Sequence, residues 1–393
     1  MEKSEFKALV AGGGPAGLAT ACLLAQEGVD ACLIAPESHG DLRTVALMQP
    51  ALKLLAYIGV WPGHLQAMSA PLRQLHIVDD TGNYVSAPRL EFLASETGHD
   101  AFGWNIPVNA LVAVLQQRLA QLSLPWIKRR AVSAQSNNEN ITIHSDAGEC
   151  VSANVAIAAD GRNSMLRQQA QIPMIEHPWN QKALVFSFSH SGPHEDTSTE
   201  YHKQNGLMTT VPLPGQRSSL VWMDLPDAID QKTALSSTQL CAEVQLACHG
   251  DLGRISDRGP MQSFQMKSSR AETFAKNRVF LVGEAAHTMP PIGAQGLNLS
   301  FRDAGHACDT VLNFNDPGDA SSCEAYHQLR QSDLLPRAAA VSLMNQSLLS
   351  GDGVLAALRS TGLSLVNAVP TLRRWVVEQG LAPSGDLPFA MRG

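Results

Sequence analysis

The chain has 393 residues, of which 44% are hydrophobic and 17% charged. This is an ordinary globular composition, too long for one small core, so two lobes are expected. A net charge of −7 without any basic tract excludes nucleic acid as the main partner.

FKALVAGGGPAGLATACLLAQEGVDACLIAP (6–36) reads strand, glycine loop, helix, strand. Gly12, Gly14 and Gly17, with Ala16 between, fit the dinucleotide fingerprint GxGxxG. The first glycine allows the tight turn, the second lets backbone approach a pyrophosphate, and the third lets helix and strand pack closely. The carboxylate expected at the end of the second strand would fall at Ala35. Either Glu37 takes its place or other groups hold the adenosine ribose. The glycines and proline that interrupt Ala8–Ala25 make it neither a signal peptide nor a membrane span. No other run reaches the roughly 18 apolar residues a span needs. A cytoplasmic protein is expected.

DLRTVALMQPALKLLAYIGVW (41–61) places Arg43 just before a predicted helix, where it can pair with pyrophosphate oxygens or lie solvated at the surface. PLRQLHIVDDTGNYVSAPRL predicts two strands around an Asp-Thr-Gly-Asn turn, and a helix follows around Val108–Leu122. ITIHSDAGECVSANVAIAAD predicts a hairpin and an apolar strand ending at Asp160-Gly161, the carboxyl edge where open α/β sheets bind ligands. Residues 182–225 alternate between Gly/Pro turns, as an antiparallel, half-buried sheet does. Phe186, Phe188, Leu220 and Trp222 are candidates there for lining a pocket or for core packing. Tyr201 and His202 are candidates for polarising a phenol or for a surface strand. His190 and His194 read as a solvated loop. Seven cysteines (22, 32, 150, 241, 248, 308 and 323) form no CxxC pair and no zinc spacing, so they read as core residues in a reducing compartment.

RVFLVGEAAHTMPPIGAQGLNLSFRDA (278–304) runs from a buried strand through a Gly/Pro loop into a helix. The unpaired N–H groups of such a helix start suit an anionic or electron-rich group. A long helix is expected from about Ser321 to Leu349. Beyond it lies an apolar tail broken by Gly362 and Pro370, with Arg373 and Arg374 beside Trp375. Such a tail packs on its own domain or lies in a membrane interface.

Together, GGGPAG (12–17), ADGRNS (159–164) and GEAAHTMPPIGAQGLN (283–298) resemble the single-component (class A) FAD-dependent aromatic hydroxylases, the family of p-hydroxybenzoate hydroxylase. The stretch 41–61, FGWNIP (102–107), PLPGQRSSLVW (212–222) and the tail pattern R..GL.L....P.LRR resemble its ubiquinone-biosynthesis branch. The resemblance spans essentially the whole length. It implies an α/β fold: a Rossmann-like FAD-binding domain (1–70, 105–178 and 275–345), an inserted mixed or antiparallel β-sheet substrate domain (71–104 and 179–274), and a helical C-terminal segment (346–393).

It further implies that Gly12, Gly14, Ala16 and Gly17 cradle the FAD pyrophosphate, and that Arg43 contacts FAD. Asp160 would touch FAD and the reduced nicotinamide. Glu284 stands where the family has an Asp bonding the ribitol chain, one methylene shorter. Gly296, Leu297 and Asn298 would offer N–H groups to the flavin, and Pro291 would shape the cavity beside its reactive face. A helix terminus stabilises an adjacent anion by roughly 0.3–1 kcal/mol, up to about 2 when partly buried, which favours anionic reduced flavin. The implied reaction hydroxylates a polyprenyl phenol with NADH or NADPH and O2 through a flavin hydroperoxide. The chemistry is the cofactor's, so neither an acid–base residue nor a metal is expected. An enzyme complex of ubiquinone biosynthesis is an implied partner, as is peripheral contact with the inner face of the cytoplasmic membrane. The alternatives are a hydroxylase of a small phenolic acid, which needs a pocket arginine, and a non-redox prenyl-binding escort protein. FGWNIP also nears the halogenase signature WxWxIP, but lacks its first Trp and lies in the wrong region.

Overall fold

The computed structural model describes residues 4–37, 40–82, 88–349, 362, 366, 373 and 386–392, and the architecture below is that of these residues. Three continuous apolar segments, Ser4–Ala11, Ala31–Ile34 and Cys150–Ala158, are too uniformly hydrophobic for a one-sided sheet and pair in parallel. Both faces of such strands must be covered. They form the centre of an eight-stranded sheet continued by Val279–Leu281 on one side and Trp126–Ile127 on the other. Helices Pro15–Gln26, Val108–Gln121 and Gln295–Asn313 pack on it, and their buried residues belong to one core.

A second, nine-stranded mixed sheet runs in the order His287–Thr288, Gln262–Ala271, Met174–His190, Arg217–Asp224, Gly206–Leu213, Thr197–Lys203, Gln74–Asp80, Leu90–Leu93, with Ile255–Ser256 alongside. Its alternation produces two differently occupied faces. Leu184, Phe186, Phe188, Tyr201, Met208, Leu220 and Trp222 form one core with Ile229, Leu240 and Val244, which come from helices Pro226–Ala234 and Ser237–Ala247. On the other face, Ala183, Leu207, Val221 and Met223 pack with Met289 and Ile292 of the Gly/Pro loop.

Several local expectations change. Arg43 precedes a strand, Thr44–Met48, and the helix begins only at Gln49. Val45 and Leu47 alternate as strand residues, and Pro50 suits the first turn of a helix but not its interior. FGWNIP supplies the middle strand, Gly103–Pro107, of a three-stranded sheet with Thr44–Met48 and Ala70–Leu72. The histidines of HSGPH are not solvated. His190 is buried, with Nε2 3.0 Å from Ser218 Oγ, and His194 Nε2 lies 3.0 Å from the Leu213 carbonyl. They brace neighbouring turns, and no cluster able to hold a metal occurs among the described residues.

The long helix spans Ala320–Leu349. The segment around Pro370, Arg374 and Trp375 lies outside the described residues. Residues 386–392 return to the first lobe. Pro388 approaches Gly305 so closely that a Cβ there would meet it at 2.4 Å, and Asp309 Oδ2 accepts from the Phe389 N–H at 3.4 Å. Burial pushes the Asp309 pKa up to about 6, with Glu27 adding to the rise, while the Phe389 N–H and Arg392 oppose it.

A carboxyl whose folded pKa is raised contributes stability below its unfolded pKa and loses it as pH rises through the folded value. Asp309→Asn should therefore stabilise the protein at pH 8 by about 2 kcal/mol, discounted for partial exposure. The gain should fade as pH falls from about 6 to about 4. Denaturant unfolding of both forms across that window checks it. A constant gain would mean that Asp309 is not the titrating group.

Candidate functional site

At the carboxyl edge of the parallel sheet, three loops converge because their glycines permit it. Gly12 adopts φ +127°, and a Cβ there would lie 2.0 Å from the Ala159 carbonyl oxygen and 2.9 Å from the Asp160 nitrogen. The first loop and Asp160-Gly161 therefore touch backbone to backbone. A Cβ on Gly17 would strike the Gly12 carbonyl oxygen at 2.0 Å. Gly14 differs: it caps helix Pro15–Gln26 in ordinary extended backbone, and nothing lies within 4 Å of its would-be Cβ. The space before that helix N-terminus is open, with its donors facing it. Ala16, in the first turn of the same helix, approaches Gly283, whose would-be Cβ lies 3.4 Å from Ala16 Cβ.

Asp160 follows the strand Cys150–Ala158. Its Oδ2 accepts from the N–H groups of Met165 at 2.8 Å and Leu166 at 3.3 Å. Burial raises its pKa, opposed by the Ser164 hydroxyl and these N–H groups. Its Oδ1 is shielded and has no partner among the described residues, the condition of an acceptor waiting for a ligand donor.

Glu284 forms a bidentate ion pair with Arg162, at 3.1 Å for both contacts. Arg43 similarly clasps Asp41, at 3.0 and 2.7 Å. All four side chains are part-exposed at the rim. Arg162 was not singled out in the sequence, although it stands directly after Asp160-Gly161. Ala35 is buried, and its carbonyl accepts from Trp126 Nε1 at 2.8 Å. Glu37 pairs with Lys128 at the surface, so the Ala35 position offers no carboxylate to a ribose.

The third loop ends where helix Gln295–Asn313 starts, after Ala294 in the left-handed region at φ 54°. Gly296 has open space where a side chain would be, so the N–H groups of Gln295, Gly296 and Leu297 lie in a helix start without intrahelical acceptors. Asn298 enters through its side chain. Its Oδ1 accepts from the Met48 N–H at 2.9 Å, and its Nδ2 donates to the carbonyls of Ala46 and Ala294 at 2.8 and 2.7 Å. This ties the helix start to the strand after Arg43. Pro291 is exposed in the loop, beside buried Ile292.

Behind the loop lies a buried charge cluster that single-sequence reading missed. Asp303 Oδ2 accepts from the Gly283 N–H and His287 Nε2, both at 2.8 Å, and its Oδ1 accepts from Arg330 Nε at 2.7 Å. Asp333 then joins Arg330, Arg302 and Arg337. Burial pushes the Asp303 carboxyl up, but Arg330, His287 and the Gly283 N–H outweigh it and hold it well below the usual carboxylate range. His287 is thus a structural partner of Asp303. The available signal was a charged pair, Arg302-Asp303, inside an otherwise buried helical stretch.

Phe186, Phe188, Leu220 and Trp222, candidates for pocket lining or core packing, do not meet the loop. They face the helices on the far side, so core packing is their role. Tyr201 is buried there too, bonded to Asp251 at 3.0 Å. His202 is buried on the near side, so neither lies on a surface strand.

The family model described as the FAD binding domain matches residues 5–338. A ubiquinone hydroxylase of Rhodospirillum rubrum is 26% identical, over 98% of this chain and 92% of its own. The 3-demethoxyubiquinol 3-hydroxylase of Escherichia coli is 27% identical, over 95% of this chain and 97% of its own. Among solved structures, p-nitrophenol 4-monooxygenase from Pseudomonas putida superposes with a TM-score of 0.77 at 18% identity, covering 97% of this chain and 99% of that one. That likeness concerns the fold.

Proposed function

Because the chain belongs to the FAD-binding family of flavin-dependent monooxygenases, we propose that it hydroxylates the aromatic ring of a polyprenylated phenol in ubiquinone biosynthesis, consuming NAD(P)H and O2. The residues present fit FAD. Open space at Gly14 and Gly296 leaves room for backbone to approach a ligand at two helix starts, and Asp160 keeps one carboxylate oxygen unpaired. Bound FAD would supply the redox and oxygen chemistry. Gly12, Gly14 and Gly17 would hold its pyrophosphate, Asp160 a hydroxyl or amide donor, and the N–H groups of 295–297 the electron-rich edge of its ring. The side chain of Asn298 would fix those donors in place.

The observation that carries the choice of substrate is the wall opposite the loop. Where it packs on Met289 and Ile292 it consists of Ala183, Leu207, Val221 and Met223, none of them a cation. A small phenolic acid would need one for its carboxylate. Arg217, at the exposed end of this face, donates instead to Ser187 Oγ at 3.2 Å. A cavity of about 380 Å3 adjoins the wall through Met289 and Val341; Leu334 and Ala338 form an apolar side that suits a prenyl tail, while His177, Ser268 and Arg270 also line it. The names of the Rhodospirillum rubrum and Escherichia coli relatives support the same pathway.

Among the described residues no helix is long and apolar enough to cross a membrane. Contact of the tail with a membrane surface, and membership in a ubiquinone-synthesising complex, belong to the same proposal. The purified protein should be yellow and should oxidise NAD(P)H in air faster when a short-chain prenylated phenol is added. Mass spectrometry should find product carrying one more oxygen. Acceleration by 4-hydroxybenzoate alone would favour the phenolic-acid reading, and a colourless protein that cannot be loaded with FAD would favour the escort reading.

A further inference from the structure

One patch on the wall facing the loop is not apolar. Register places Glu200 opposite Thr209 and His202 opposite Leu207. Leu207 shares a core cluster with Ile292, while Val211, two residues beyond Thr209, packs, as Ala294 does, against the cluster of Met48, Leu72 and Phe92. Side chains alternate along a strand, so Thr209 shares the face of Leu207 and Val211, the face whose clusters include Ile292 and Ala294 of the loop. Glu200 and His202 share its face, with cross-strand Cβ atoms about 4.5–5.5 Å apart. Tyr201, between them in sequence, points to the opposite core.

His202 is fully buried, with Nε2 2.8 Å from Glu200 Oε1. An ionised carboxylate only accepts, so Nε2 is assigned the hydrogen and donates. Thr209 Oγ1 and His202 Nδ1 are shielded and unpartnered among the described residues. Buried polar atoms are seldom left unpaired. One of them, Thr209 Oγ1, stands cross-strand from Glu200 in an apolar wall, a preset place for a polar ligand group; His202 Nδ1 is on the ring edge away from the carboxylate.

We propose that Thr209, Glu200 and His202 recognise a ring hydroxyl of the substrate. Glu200 accepts the phenolic O–H, Thr209 donates to the same oxygen, and His202 holds the carboxylate in place by donating from Nε2. The assignment rests on the hydroxylase reading above. A carboxylate acceptor is stronger than a neutral one, and it pushes electron density into the ring that is to be oxygenated. Glu200 and Thr209 are then substrate-contacting residues, and His202 is a positioning residue.

The test uses flavin-loaded protein and two probes, 2-prenylphenol and prenylbenzene, with binding read from the perturbation of flavin absorbance. Wild type should bind the phenol roughly tenfold more tightly than the hydrocarbon. Thr209→Val and Glu200→Gln should each lose most of that preference with prenylbenzene affinity unchanged, and Thr209→Ser should retain it. Thr209→Val should also keep its FAD content and a wild-type or higher Tm, because it deletes a hydroxyl without a partner; a lowered Tm would indicate a structural role. Undiminished preference in both variants, or no preference in wild type, overturns the assignment while phenol-stimulated hydroxylation stands. A protein whose NAD(P)H oxidation responds to no phenol refutes the hydroxylase reading itself.

Discussion

Gly14→Glu should abolish FAD retention while leaving the chain folded. Gly14 sits in backbone that any residue adopts, φ −78° and ψ 176°, and its would-be Cβ meets no protein atom within 4 Å. A carboxylate there enters the space left for the pyrophosphate. Two unit charges about 4 Å apart near a protein surface repel by about 4 kcal/mol, roughly a thousandfold in affinity. Gly12→Ala is the contrasting variant. Its Cβ would lie 2.0 Å from the Ala159 carbonyl, at φ +127°, so the first strand loop and Asp160-Gly161 must separate. That variant should melt lower whether or not flavin is present. Flavin absorbance per chain and the Tm of the flavin-free proteins distinguish the two. Normal FAD content in Gly14→Glu would remove the pyrophosphate from this loop.

The same contrast explains what could be read from the sequence. Gly17 is demanded by its contact with the Gly12 carbonyl within one βαβ unit, which local spacing reveals; Gly12 meets Ala159 and Asp160, far away in sequence, and is legible only through the GxGxxG fingerprint. The strand–loop–helix around 278–304 was legible because Pro-Pro and Gly293 leave the chain few other paths. The orientation of the second sheet was not. Phe186 and Val221 both belong to alternating, buried strands, and helices cover one face as fully as the flavin-side loop covers the other. Hydrophobicity therefore cannot say which face meets the ligand, and the larger aromatic side chains point away from it. Arg43 was placed before a helix because Leu47, Leu54, Leu55 and Ile58 were read as one helix's apolar residues, but Leu47 belongs to the strand. The five residues Thr44–Met48 form a strand only through partners near position 105.

Loss of the Asp303 carboxylate should be among the most damaging substitutions remote from the ligand. Asp303 and Arg330 are both essentially buried, 27 residues apart in sequence and 2.7 Å apart in space, a pairing no local pattern announces. Asp303→Ala leaves Arg330 with Asp333 alone and deprives the Gly283 N–H and His287 Nε2 of their acceptor. Removing one partner of a buried pair costs about 3–5 kcal/mol. Because Gly283 opens the segment leading to Glu284 and the flavin-side loop, FAD retention should weaken with stability.

The pH dependence identifies the charge responsible. The folded carboxyl is held below its unfolded value of about 3.9, so its contribution is complete above about pH 4 and is lost as pH falls further. The stability gap between wild type and Asp303→Asn, measured by denaturant unfolding, should stay constant from pH 8 to about 4 and narrow only below it. A gap that closes between pH 7 and 5 would mean that Asp303 is not the ionised centre of the cluster. The flavin-side loop would then be held chiefly by its apolar contacts through Met289 and Ile292.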